Sequence, residues 1–328
     1  MVRRQKFVWG GIGLALTMML VIAFAGPTFA GDTSCKTKYP IIMAHGMGFV
    51  PTATYPNSFP GIVEALRARG ATVFTPTVEP LGPTREKAEE FKTEFLKIKA
   101  VSGAPKYNIL CHSHGALYTR DAISNLGLGP YVASWTSAAG VNHGTVIAQM
   151  MTTLSEVAPG LADMIGGLLP VSGDPAKLAV NIEQLTPDYV INTFNPNTPN
   201  VKGIYYQSWC GQYRYYNLLK TSVDFTKMII DELNGDTGTL SPDEAIVALY
   251  KVLPDTATEI YYLGGGGNDG LVPVESAKWG TYLGTQTGPW WSAGVNHLDE
   301  VNLAPNGTSF DAVGYWVKLV QNLKAKGF

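Results

Sequence analysis

Apolar and polar positions along the chain fall into two alternating patterns. Short apolar runs occur near residues 39–44, 71–75, 107–111, 132–138, 203–209 and 259–263, each of a length that suits a buried strand. Stretches with helical spacing lie between them. Ile62, Val63 and Leu66 give one apolar face, and Phe91, Phe95, Leu96 and Ile98 give another. From Phe310 to Val320 the spacing predicts a closing helix. This alternation predicts an α/β chain with a mostly parallel central sheet, covered by helices on both faces.

Residues 145–180 break the alternation. They hold Val146, Ile147, Met150, Met151, Leu154 and Leu161 among further apolar residues, with Glu156 and Asp163 as the charges before Asp174. Buried core helices are one reading. A lid is the other: an apolar inner face, adaptable methionines and glycine hinges suit a segment that opens at a lipid surface.

The N-terminus reads as an export signal over residues 1–30. Arg3, Arg4 and Lys6 precede an apolar run from Val8 to Ala25, and small residues lead to a cut after Ala30. A retained membrane anchor is the alternative, since the run is nearly long enough to span a bilayer. Residues 31–328 then form one domain with an insertion at about 145–180. The formal charge of −2 and the lack of long basic runs argue against nucleic-acid binding. Of the three cysteines, Cys111 is expected to be buried and free, which leaves Cys35 with Cys210 as the candidate disulfide of an exported protein.

The candidate chemistry centres on Cys111-His112-Ser113-His114-Gly115, between a strand-like and a helix-like stretch. A serine at such a turn is a nucleophile elbow, whose flanking positions must be small. An ordinary turn serine is the competing reading. The elbow needs a base, and an acid to orient that base, following it in the chain. Of the five histidines, His112 and His114 flank the serine, His45 lies upstream and His143 leaves little room for an acid; His297 remains. Asp269 precedes it in Asn268-Asp269-Gly270, after a run of glycines. A plain turn aspartate and a loop histidine are the competing readings. The first strand ends in His45-Gly46-Met47-Gly48. Its loop is placed to give the Met47 N–H as one donor to a tetrahedral oxyanion, with the His114 N–H as the other.

With these parts in place, the chain resembles the secreted bacterial triacylglycerol lipases of the Pseudomonas, Burkholderia and Proteus type. The resemblance is carried by Tyr39 to Met47, His112 to Gly115, Gly140 to Thr145, Ile204 to Trp209, Asn268 to Val272 and Asn296 to Asn302. It implies an α/β-hydrolase fold with a helical lid, Ser113, Asp269 and His297 as the triad, and Met47 and His114 as oxyanion donors. Cys111 departs from it, standing where glycine is usual. The resemblance also implies a structural calcium near the histidine loop, with Asp299 as a ligand. Leu303 and Ser241 stand where the other side-chain ligands are expected, which counts against the ion. The resulting expectation is a secreted serine ester hydrolase that needs no cofactor. It acts on triacylglycerols at a lipid–water interface as a monomer, with room for a separate folding partner. A short-chain carboxylesterase or polyester depolymerase is the alternative, and a non-catalytic lipid-binding protein the remote one.

Overall fold

A computed structural model describes residues 31–157, 175–216, 241–304 and 309–328. Residues 1–30, which carry the expected export signal, and 158–174, the centre of the expected lid, lie outside the described residues. Residues Asp32–Phe328 form one compact unit.

Six strands make one sheet: β1 (Ile41–Ala44), β2 (Val73–Phe74), β3 (Tyr107–His112), β4 (Val132–Ala138), β5 (Tyr205–Gly211) and β6 (Thr281–Gln286). Their order is β2-β1-β3-β4-β5-β6, and every neighbouring pair is parallel. All residues of β1, β3 and β4 are buried, as expected for parallel strands covered on both faces.

The two faces can be read residue by residue from the period of two. On β1, Ile41 and Met43 pack with Ile62 and Leu66 of α1 (Ile62–Ala68) and with Trp316 and Val320 of the closing helix (Ala312–Ala325). Ile42 and Ala44 point the other way. They pack with Phe91 and Phe95 of α2 (Thr84–Ser102) and Ala116 and Tyr118 of α3 (Gly115–Asn125). Because the strands are parallel, their carboxyl ends share one edge of the sheet, where ligands of open α/β sheets bind.

Two expectations are corrected. The run at 259–263 is not a strand. It continues the helix Pro242–Ile260, where Leu253, Ala257 and Ile260 are buried at helical spacing. A short apolar run cannot be told from a buried helix segment by periodicity alone. The sixth strand is β6, whose residues are partly to fully exposed and carry little apolar signal. Nor do Cys35 and Cys210 form a disulfide: Cys35, Cys111 and Cys210 are all free and buried. Cys35 Sγ faces the Val317 carbonyl at 3.8 Å, whereas Cys210 Sγ faces Asp269 Oδ2 at 3.8 Å.

Within the segment expected as a lid, 145–180, the described residues form α4 (Val146–Val157) and the start of α5 (Pro175–Glu183). Ala148 of α4 and Leu178 and Ile182 of α5 are buried in one cluster with Leu117 and Val141 of the body. Among the described residues, no helix is long and apolar enough to cross a membrane.

Candidate active site

The turn from β3 to α3 is strained at one residue. Ser113 has φ 57°, a left-handed conformation that a side chain adopts at a cost. Its N–H donates to Ala138 O at 3.0 Å, and its carbonyl accepts from Ala116 N at 3.0 Å. The turn demands glycine two residues on, because a Cβ at Gly115 would stand 2.9 Å from the carbonyl oxygens of both Ala44 and His45. Two residues back a larger side chain fits. Cys111 lies in the core, its Sγ 3.3 Å from Thr136 O. Burial pushes its thiol up to about 12, so it stays protonated and unreactive.

The loop after β1 passes against the serine. A Cβ at Gly46 would lie 2.8 Å from Ser113 Cβ and 3.3 Å from its Oγ. His45 holds this loop as a neutral ring: Nε2 accepts from Val78 N at 3.0 Å, so Nδ1–H donates to Gly46 O at 2.8 Å. Burial, with the Lys87 charge second, lowers its pKa to about 4. The Tyr118 hydroxyl donates to His45 O at 2.7 Å, and Gly48 N and Lys87 Nζ both donate to Pro80 O, at 2.9 and 2.8 Å. Among the described residues, the Met47 and His114 N–H groups donate to no acceptor, although Gly48 and Ser113 beside them do. The His114 ring is buried against Thr84 Oγ1 at 3.0 Å, and burial keeps it neutral.

Asp269 and His297 come from two loops. Asp269 Oδ1 accepts the N–H groups of Leu271 and Val272, at 2.9 and 2.7 Å, which is the turn that Asn-Asp-Gly favours. Oδ2 remains for His297 Nδ1, at 2.8 Å. One carboxylate thus closes the turn and contacts the histidine. His297 N donates to Asp269 O at 2.9 Å, and His297 O accepts from His112 Nε2 at 3.0 Å. The rings of His112 and His297 lie 4.3 Å apart, so the residue next to Ser113 lies against the histidine loop.

Three further groups brace this side. Asn296 Oδ1 accepts from Leu298 N and Asp299 N, at 2.9 and 2.8 Å. Asp299 Oδ2 accepts from Asn296 N at 3.0 Å, and its Oδ1 from the Tyr250 hydroxyl at 3.1 Å. Glu300 is fully buried, accepts from Gly211 N, and lies 3.7 Å from His112 Nε2. Burial first, and the Asp269 charge second, push its pKa well above the usual carboxylate range and favour the protonated form.

Two of the residues standing at the positions of the calcium that the resemblance implies have other roles. Leu303 is buried in the apolar core, and Ser241 caps the helix Pro242–Ile260 in a capping box with Glu244. Asp299 is the remaining carboxylate.

Sequence reasoning passed over His112, Tyr118, Lys87 and Glu300. Flanking the serine, His112 has its side chain directed away from the Ser113 side of the turn and bonded to His297 O. Pointing away is what brings it to the histidine loop.

No family model matches the chain. A Vibrio cholerae protein named triacylglycerol lipase is 29% identical over 211 residues, covering 57% of this chain and 67% of that one. A Burkholderia plantarii protein of the same name is 26% identical over 336 residues, covering 91% of this chain and 90% of its own. A third, from Pseudomonas fragi, is 31% identical over 143 residues, covering 43% of this chain and 47% of its own. Among solved structures, the mature Bacillus licheniformis lipase BlEst2 superposes with TM-score 0.55 at 15% identity, over 87% of this chain and 92% of its own. The metagenomic carboxyl esterase MGS0156 superposes with TM-score 0.55 at 15% identity, over 88% of this chain and 76% of its own. The fold is that of the α/β-hydrolases.

Proposed function

From its kinship with the bacterial triacylglycerol lipases and its α/β-hydrolase fold, we infer that this chain is a carboxylic ester hydrolase, and we propose that triacylglycerols are its substrates. Ser113 Oγ attacks the ester carbonyl. His297 Nδ1 is engaged by Asp269, so Nε2 takes the serine proton and passes it to the leaving alcohol. Asp269 stabilises the imidazolium. The Met47 and His114 N–H groups receive the oxyanion of the tetrahedral intermediate. Water then adds to the acyl-enzyme, losing a proton to His297, which returns it to Ser113 Oγ as the bond to the acyl group breaks and the fatty acid leaves.

The observation that carries this reading is the Asp269–His297 pair at 2.8 Å, held by His112 next to a serine in a strained turn. Export by the N-terminal segment, a monomeric state, and a lid at 145–180 that opens at a lipid–water interface belong to the same proposal. So does activity without calcium, supported by the apolar burial of Leu303 and the capping role of Ser241.

The testing experiment is a hydrolysis series on glycerol esters of rising acyl length, each dissolved and emulsified. A triacylglycerol lipase turns over the long emulsified esters. Turnover confined to short dissolved esters would assign the site to a carboxylesterase, and no turnover of any ester would end the reading.

A further inference from the structure

The proposed chemistry leaves an aromatic patch unused. β6 ends at Gln286, on the sheet edge where the strands present their carboxyl ends, and the chain that leaves it carries Trp290 and Trp291. Their side chains are 76% and 70% exposed, whereas Trp135, Trp209 and Trp316 are fully buried. The two rings stand edge to face, with centroids 5.7 Å apart. A pinned loop holds them there. Arg214 Nε donates to Thr287 O at 3.1 Å, and its Nη2 to Thr287 Oγ1 and Gly288 O at 2.9 and 2.7 Å. Ser292 N and Oγ both donate to Pro289 O, at 3.0 and 2.7 Å.

The same loop is joined to the site. Arg214 N donates to Ala293 O, Val295 N to Gln212 O and Tyr213 N to Asn268 O, at 2.8, 3.0 and 2.8 Å. With the bond from His297 N to Asp269 O, the Trp290–Trp291 loop and the residues bearing Asp269 and His297 form one hydrogen-bonded block. Tyr215, in the segment that runs alongside, is itself 69% exposed.

Charge selects the partner. From Trp279 to Leu298 the chain has no Asp, Glu, Lys or Arg. The nearby Arg214 guanidinium is turned onto the loop's own oxygens. A partner recognised through ion pairs finds no complement there. A lipid–water interface does, because an indole sets an apolar body beside a polar N–H and favours the headgroup level. An uncharged loop also settles there without desolvating an ion.

We propose that Trp290 and Trp291 anchor the protein on a lipid–water interface, with the site's edge of the sheet toward the lipid. The purpose of the anchor rests on the ester-hydrolase reading, but lipid binding by these rings does not need a reactive Ser113.

The test compares the full chain with its Trp290→Ser/Trp291→Ser variant by co-sedimentation with phosphatidylcholine vesicles. The partition coefficient is expected to fall by at least about tenfold, equal to about 1.4 kcal/mol. The Trp290→Phe/Trp291→Phe variant, which keeps apolar rings, should retain more of the binding than the serine variant. The ratio of emulsified to dissolved ester turnover should fall with the partition coefficient. Vesicles containing brominated lipid should quench the tryptophan fluorescence of the unaltered protein, a readout that needs no variant. Equal partition by a serine variant of unchanged melting temperature would overturn the anchor, as would no quenching. So would a dimer that the serine variant dissociates while vesicle binding persists, which would give the patch to a second copy. If no ester is hydrolysed yet the serine variant loses partition, the hydrolase reading fails and the anchor stands.

Discussion

The serine side and the histidine side of the site are built by different means. On the serine side, close packing dominates. Gly115 and Gly46 bring the elbow, the first strand and the loop after it within distances that a Cβ would violate. On the histidine side, side chains bond the backbone: Asp269, Asn296, Asp299 and Glu300 each accept main-chain N–H groups. Close packing is unforgiving of volume. A network of acceptors tolerates volume better and depends on protonation. The two sides meet where His112, in the strand that leads to the elbow, donates to the carbonyl of His297.

The largest expected effect tests whether the serine side carries the nucleophile. Ser113→Ala should lower ester turnover by roughly 10⁴-fold or more and end labelling by an organophosphonate, with the melting temperature little changed. Ordinary turnover by that variant would sink the assignment. Asp269→Asn should come next on the histidine side, with kcat falling by about 10⁴-fold through loss of the carboxylate that orients His297. A fall in kcat of under about tenfold would show that another group orients the histidine.

Acid offers a smaller and separable effect. The folded pKa of His45 is depressed by burial to about 4, from an unfolded value near 6.5. Below about pH 6.5 the unfolded chain takes up a proton that the folded one refuses. Stability is therefore complete above that pH and falls as pH drops toward 4, by up to about 3 kcal/mol from this residue. Denaturant melts across pH 4–7 should show the fall, and His45→Gln should make it shallower by this residue's share, the buried neutral rings of His112 and His114 keeping the rest. A parallel slope in the variant would place the effect elsewhere.

Cys111 sharpens the packing side. Cys111→Ala should keep substantial activity and cost no more than about 1.5 kcal/mol, and thiol reagents should act slowly on the folded protein. Rapid inactivation that Cys111→Ala escapes would mean an exposed thiol. The smallest expected effect is chelation. A bound calcium at 100 to 1,000 times its dissociation constant would contribute about 3–4 kcal/mol. The donor set around Asp299 predicts almost no shift in melting temperature on adding EDTA. A fall of many degrees, reversed by calcium, would refute that.

Much of the serine side was legible because its constraint is local. A tight strand-to-helix turn must be small at fixed offsets from Ser113, and Gly115 meets that within two residues. That Asp269 would meet His297 was legible by chain order and by elimination among few histidines. The strands were legible where burial on both faces makes a run uniformly apolar, as in β4 (Val132–Ala138). They were not where the signal is shared: Glu259 to Leu263 reads equally as strand or helix end, and β6 is an edge with little apolar content.

By itself, then, the sequence determined the alternation of strands and helices, the tight turn at Ser113, and the residue types on which the proposed chemistry draws, since these follow from spacing and local backbone geometry. Only the tertiary structure decided that Cys35 and Cys210 sit apart as free thiols, and that Leu303 and Ser241 serve the core and a helix cap. It also decided that His112 and Glu300 brace the histidine loop, and that Trp290 and Trp291 stand in water beside it. The physical reason is the same for each. Whether a side chain is buried, bonded or exposed depends on which distant segment packs against it, and that partner is fixed by the sheet order rather than by neighbours in the chain.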